Sequence, residues 1–241
     1  MRLDIDFEWQ RDSAGYDLLP AAAGKPRKPE PRPLFGPISI FPPADKDPDT
    51  PARVIRRGGS LVTYRPFEDF GTLCMTFASI AKSEEGVVDF ISNFGPLTKS
   101  GHDQQHGQPV PEVLECASVM WRLLKRSEKA PRALFELMGV SGRPLTNVEV
   151  RLVGDPGVNS LRLRLRPRSL LDALWLQLGL KLSGGGAIRE CELCGGWFEA
   201  GPGTGRRLDA KFCSDAHRVT FNSLQRSRSA HKTKPRKGLE K

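Results

Sequence analysis

Cys191-Glu192-Leu193-Cys194 and Cys213-Ser214-Asp215-Ala216-His217 place four soft or borderline donors in two close pairs, with eighteen residues between Cys194 and Cys213. Each short pair can span one edge of a tetrahedron, and the connection only has to bring the two pairs together. This donor set and spacing suit a closed structural Zn2+ site, one per chain, because four protein ligands leave no position for a reacting water. Gly195 follows the first pair, where a small residue lets backbone N–H groups turn toward the thiolates. Cys213 stands just ahead of a helical pattern, whose positive N-terminus favours a thiolate. The competing reading, three unrelated buried thiols and a surface histidine, leaves the spacing to chance.

The remaining cysteines, Cys74 and Cys116, are far apart inside apolar patterns, so no disulfide framework is expected and a reducing cytoplasm is the natural compartment. With 241 residues, 38% hydrophobic and 27% charged, the chain suits one or two soluble domains. Its first nine residues are too acidic and too regularly alternating for a signal peptide, and no apolar run reaches membrane-spanning length. The formal net charge is +9, and nearly all of it lies after residue 204, where eleven Lys or Arg face three acids. Charge concentrated on one small module is the footprint of a polyanion binder, while a solvated tail that only aids solubility is the plainer alternative.

Positioning elements can be read from the periodicity. Leu3, Ile5, Phe7 and Trp9 alternate as in one half-buried strand. Ten prolines between residues 20 and 51 make that stretch an extended arm, and residues 1–52 are taken as strand plus arm. Residues 53–64 predict a β-hairpin turning at Gly58-Gly59. Helical spacing follows over 67–82, then from the N-cap Ser83 to Gly95, then from Pro111 along Val113, Cys116, Ala117, Met120, Leu123 and Leu124, with a short helix over 132–138. Residues 98–110 read as a polar loop. A second hairpin pairs Val148, Val150 and Leu152 with Leu161, Leu163 and Leu165 and carries Arg162, Arg164 and Arg166 on its polar face. Ser169 caps a strongly apolar helix to about 182, and Gly184–Gly186 hinges it to the cysteine module. The fold expected is α+β: a mostly helical domain over 53–183 with short antiparallel hairpins, a treble-clef-like zinc finger over 187–228, and a basic tail over 229–241.

The module's order carries a family likeness. Cys191-x2-Cys-Gly-x-Trp-Phe, then Arg206-Arg207, then Lys211-Phe-Cys-Ser-Asp-x-His-Arg218 leads into a helix. This resembles the treble-clef fingers of bacterial CGNR-type proteins, which follow a mostly helical N-terminal domain; the likeness is specific over about 189–228. The chain lacks the Cys-Gly-Asn-Arg tetrad, and His217 stands where those fingers usually carry a fourth cysteine. The resemblance implies a DNA-binding transcriptional regulator.

Side-chain chemistry agrees. Arg218, Asn222 and Gln225 recur on one helix face at offsets suited to base edges. Arg226 lies beside that face; Arg206, Arg207, Lys211 and the tail from Lys232 through Lys234 to Lys237 are the phosphate candidates, and Arg228 completes the nucleic-acid-binding set. His217, Phe221 and Leu224 share the face expected to turn toward metal and core. No enzyme is expected: His102 and His106 sit in the polar loop without a metalloprotease pattern, and no catalytic dyad stands outside the metal array. Two alternatives remain, a protein-docking adaptor built on the finger and an enzyme without a recognisable signature. A ligand or protein partner of the helical domain is left open.

Overall fold

The computed structural model describes residues 3–21, 51–80, 83–103, 106–129, 147–155, 160–183 and 186–232. Its strands are β1 (Leu3–Ile5), β2 (Trp9–Asp12), β3 (Tyr16–Leu19), β4 (Arg53–Arg56) and β5 (Leu61–Tyr64). Helices α1 (Pro66–Asp69), α2 (Leu73–Ser79) and α3 (Glu84–Phe94) come next, then a 3-10 turn (Lys99–His102), β6 (Gln108–Pro109) and α4 (Val110–Lys129). The chain continues through β7 (Val148–Asp155), β8 (Ser160–Pro167), α5 (Leu170–Ser183), β9 (Ala187–Glu190), β10 (Trp197–Ala200) and α6 (Asp215–Lys232). The architecture is α+β, in two compact units, Met1–Leu180 and Lys181–Lys241. No helix among the described residues is long and apolar enough to cross a membrane. The arm over 22–50, the helix expected at 132–138 and the tail from 233 lie outside the described residues.

The N-terminal alternation is two strands in two sheets. β1 pairs parallel with β8, which also pairs antiparallel with β7, and β2 pairs antiparallel with β5. The strands expected to form the first hairpin exist but do not pair with each other: β4 pairs with β3, and β5 with β2. Trp9 faces Tyr64 and Tyr16 faces Arg56, so residues 9–19 and 53–64 run as one antiparallel ribbon, interrupted where residues 13–15 oppose 57–60. The carboxylate of Asp12 fills that interruption. It accepts from the N–H groups of Ala14 (2.8 Å), Gly58 (3.1 Å) and Gly59 (3.1 Å) and from Arg56 Nε (2.9 Å). Four donors offset its desolvation, so an acid with 0% side-chain exposure is tolerated.

The helix read over 67–82 is broken into α1 and α2. The break is stabilised from far away: Gln177 on α5 donates to the Phe70 carbonyl (2.9 Å) and accepts from the Cys74 N–H (2.7 Å). One buried amide thus satisfies the carbonyl leaving α1 and an N–H opening α2. α3 starts and stops as its sequence dictates: Ser83 Oγ accepts from Gly86 N, and Gly95 ends it at φ 80°. Side chains from the ribbon and the chain before α1 cover this end, Tyr64 donating to the Phe94 carbonyl, Arg11 to Asn93 and Trp9 to Pro96. A Cβ on Gly95 would lie 2.2 Å from the Gln10 carbonyl oxygen.

The helical core joins α2, α3 and α4. Phe77 packs on Phe90 with ring centroids 5.0 Å apart, and Val113, Ala117, Met120, Leu123 and Leu124 of α4 are buried on the stripe read from sequence. Cys116 is half-buried beside that stripe, and burial, with Glu115 and Glu112 nearby, pushes its thiol up to about 12. That thiol stays protonated and inert. The polar loop holds the 3-10 turn and β6, which pairs with β4. The second hairpin forms as β7 and β8, with β1 added along its other side.

Candidate metal centre

β9 and β10 form an antiparallel hairpin, Trp197 opposite Glu190, and the first cysteine pair occupies its connection. The knuckle is tight. Cys191 N donates to the Gly196 carbonyl and Gly195 N to the Cys191 carbonyl, both at 2.9 Å. Gly195 has φ 69°, a backbone conformation that a side chain would strain. A β-bridge between Gly201 and Arg206 then turns the chain back, and Glu192 N donates to the Lys211 carbonyl (3.0 Å), holding residue 211 beside the knuckle. Two residues later Cys213 arrives. Ser214 Oγ accepts from His217 N (3.2 Å) and starts α6, whose first turn presents the imidazole. Local order in the sequence therefore sets both ligand pairs, and the knuckle-to-211 hydrogen bond brings them together.

The donor atoms of Cys191, Cys194, Cys213 and His217 all lie within 4.8 Å of one another. Cys213 Sγ is 3.1 Å and Cys191 Sγ 3.6 Å from His217 Nδ1, and Cys194 Sγ is 3.9 Å from Cys213 Sγ. Tetrahedral coordination with metal–sulfur bonds of about 2.3 Å needs sulfur–sulfur edges of about 3.8 Å and sulfur–nitrogen edges of about 3.6 Å. The cluster fits one ion with little movement.

Its electrostatics call for a cation. Burial would raise the Cys191 thiol, but the N–H groups of Cys194 and Cys213, the imidazole of His217 and the Leu193 N–H bring it down to about 6. Burial together with Cys191 and Cys194 pushes Cys213 up to about 11. One thiolate thus forms readily and opposes the next, a conflict that a divalent ion at the centre removes. A small apolar cluster backs the ligands: Cys191, Phe198 and Ala200 are buried, with Leu193, Ala210, Phe212 and Cys213 packed on them. Phe221 of α6 meets Phe212 at 5.1 Å between ring centroids.

The basic residues singled out from sequence are distributed unevenly around this centre. Arg206 donates to the Cys213 carbonyl from Nε (3.0 Å) and Nη2 (2.7 Å), and its guanidinium lies over the Phe198 ring at 5.8 Å. Sequence patterning could not anticipate that role, because nothing marks an arginine for a carbonyl seven residues on. Arg207 pairs with Asp209 (3.0 Å), Lys211 with Glu192 (3.1 Å) and Arg218 with Asp215 (3.1 Å), all on the surface. Such pairs contribute about 0–1 kcal/mol and exchange partners readily. Asn222, Gln225, Arg226 and Arg228 are exposed along α6, and no ion pair among the described residues engages Arg226 or Arg228. Lys232 is the last residue of α6, and Lys234 lies outside the described residues.

Leu224 departs from expectation. It shares the face of His217 and Phe221, yet it is 48% exposed. The two loop histidines stay apart in role. His102 is packed against Trp9, ring centroids 5.4 Å apart, while His106 Nδ1 meets Asp103 Oδ2 at the surface (2.9 Å). Neither joins a metal-ligating cluster among the described residues. Compared with known proteins, the chain matches no family model, no curated protein and no solved structure.

Proposed function

We propose that this chain is a nucleic-acid-binding protein whose C-terminal unit is a treble-clef-like finger closed by a structural Zn2+. Three thiolates and one imidazole in a closed tetrahedral set favour zinc over harder ions such as Mg2+ and Ca2+. Cys191 and Cys194 hold it from the knuckle, Cys213 and His217 from the start of α6. The ion supplies cross-linking of the two pairs; the protein's own residues meet the partner.

One observation carries the reading. Residues 222–228 of α6 stand exposed, with Arg226 and Arg228 among them. An isolated basic helix of this length is marginal in water, so a polyanion that neutralises it supplies what the finger does not. Arg218, Asn222 and Gln225 offer base-edge chemistry, and Arg207, Lys211, Arg226, Arg228, Lys232 and Lys234 offer phosphate contacts. DNA is the partner favoured, and transcriptional regulation the role, in keeping with the CGNR-type resemblance.

The test is binding of the full chain to duplex DNA across a salt series. Arg226→Ala/Arg228→Ala should weaken binding on all sequences and flatten the log K against log salt slope by roughly 1.8, two phosphates' worth. Unchanged affinity and slope in that variant would reject α6 as the binding element. The second reading, a docking platform for a protein partner, is tested at Val219, which is 61% exposed on the same helix. Val219→Ser should leave DNA binding intact and abolish capture of such a partner.

A further inference from the structure

The strand β7 ends its sheet among the described residues: β8 pairs with one side of it, and no described strand pairs with the other. It is eight residues long, and two of its apolar side chains are open, Val150 at 60% and Leu152 at 69% exposure. The register puts Val150 level with Leu165 and Ile5, and Leu152 level with Leu163 and Leu3, on one face. An exposed apolar strand of this length at a sheet edge is normally blunted by proline, a bulge or inward charge, or else it pairs.

The direction of its backbone groups restricts how it can pair. Arg168 N donates to the Asn147 carbonyl, so odd-numbered residues of β7 turn their N–H and C=O toward β8. Val148, Val150 and Leu152 therefore turn theirs to the open edge. A second copy running antiparallel across a two-fold axis must match these outward groups to their equivalents. The axis then passes through one residue of β7. Centred on Glu149, it sets Glu149 against its own copy; centred on Arg151, it sets arginine against arginine; centred on Leu152, it sets Glu149 against Asp155. Centred on Val153, it sets Arg151 against Asp155 but leaves Leu152 facing Gly154; centred on Val150, it sets Glu149 against Arg151 twice, Val148 against Leu152 twice and Val150 against Val150. In that register the charged pairs occupy the non-hydrogen-bonded positions, where opposing side chains come closest.

We infer that the chain forms a two-fold dimer through β7, joining two β1-β8-β7 sheets into one six-stranded sheet centred on Val150. A second copy is the occupant because the edge is self-complementary in charge, in apolar pattern and in backbone direction. The inference rests on residues of the first unit alone and does not depend on the finger or its partner. In a single chain Arg151 is held by Glu149 of its own strand at 2.6 Å, on the surface, so the pair can redistribute across the axis without loss.

The experiment measures the solution mass of the full 26.7 kDa chain by light scattering over a concentration series, with Glu149→Arg and Arg151→Glu separately and mixed. Wild type is expected at twice the chain mass. Either single reversal places two like-charge pairs across the axis and should weaken dimerisation by about tenfold or more. An equimolar mixture sets an all-arginine edge against an all-glutamate edge and should restore a dimer, which misfolded variants would not do. A wild type that is monomeric throughout overturns the inference. So do single variants that dimerise as tightly as wild type, and so does a mixture that stays monomeric.

Discussion

The guanidinium of Arg206 donates two hydrogen bonds to the backbone carbonyl of Cys213, from Nε at 3.0 Å and Nη2 at 2.7 Å. The same group lies over the ring of Phe198, which is buried behind the knuckle. Arg206 therefore ties the residue that bears the third candidate metal ligand to the apolar cluster supporting the first. Groups one step removed from the metal fix the orientation of its ligands, and their loss commonly lowers metal affinity by about 10–100-fold.

Arg206→Ala should accordingly speed metal loss to a chelator and lower affinity by about tenfold or more, while Arg207→Ala, whose partner is the surface Asp209, should not. Competition with a chromophoric chelator measures both. Equal behaviour of the two variants would show that the carbonyl clamp contributes nothing to metal retention.

If the cluster holds the proposed zinc, Cys194→Ser should abolish stoichiometric metal and unfold the hairpin and first turns of α6, because the apolar cluster there is too small to hold them without an ion. The helices of the first unit bury a separate core and should persist. Amide exchange resolves this, with fast exchange expected over 187–221 and slow exchange over α3 and α4. Retained protection over 187–221 would mean that the finger folds without metal.

Asp12→Ala should cost about 3–5 kcal/mol, since it leaves Arg56 and the N–H groups of Ala14, Gly58 and Gly59 without their acceptor. Burial would raise this carboxyl, but the Ala14 N–H, Arg56 and the Gly58 N–H outweigh it and hold it below the usual range. Its contribution is thus fully present above the ordinary carboxyl pKa and is lost as pH falls through the lower folded value. Denaturant titration of the variant at neutral pH gives the magnitude; a loss under about 1 kcal/mol would show the network to be dispensable.

His102 predicts a second pH dependence at milder acidity. Burial, with Arg56 nearby and only partial relief from Asp12, lowers its pKa to about 4. Its two ring nitrogens have no hydrogen-bond partner among the described residues, and the ring rests on Trp9. An unfolded imidazole takes up a proton near pH 6.5 that the folded one refuses, so stability falls as pH drops from about 6.5 toward 4. His102→Phe should flatten the denaturation midpoint across that window; an unchanged slope would assign the effect to another group.

The clustering of the four candidate ligands was legible because its information is local. Two ligands three residues apart and two four apart declare themselves without any knowledge of the fold, as do the Ser83 cap and the Gly95 stop of α3. The buried stripe of α4 is equally local, a matter of 3.6-residue spacing. Partner choice was not legible. Alternation in residues 53–64 announces strands and a face, but the pairing of β4 with β3 and β5 with β2 depends on Asp12, more than forty residues earlier, filling the gap between them. The break between α1 and α2 has no strong local signal either, because the group that satisfies it is Gln177, 103 residues beyond Cys74. Leu224 shows the converse: its helical face is fixed by spacing, but its exposure is not. Periodicity encodes which side of an element is apolar, and only the packed chain decides what meets it.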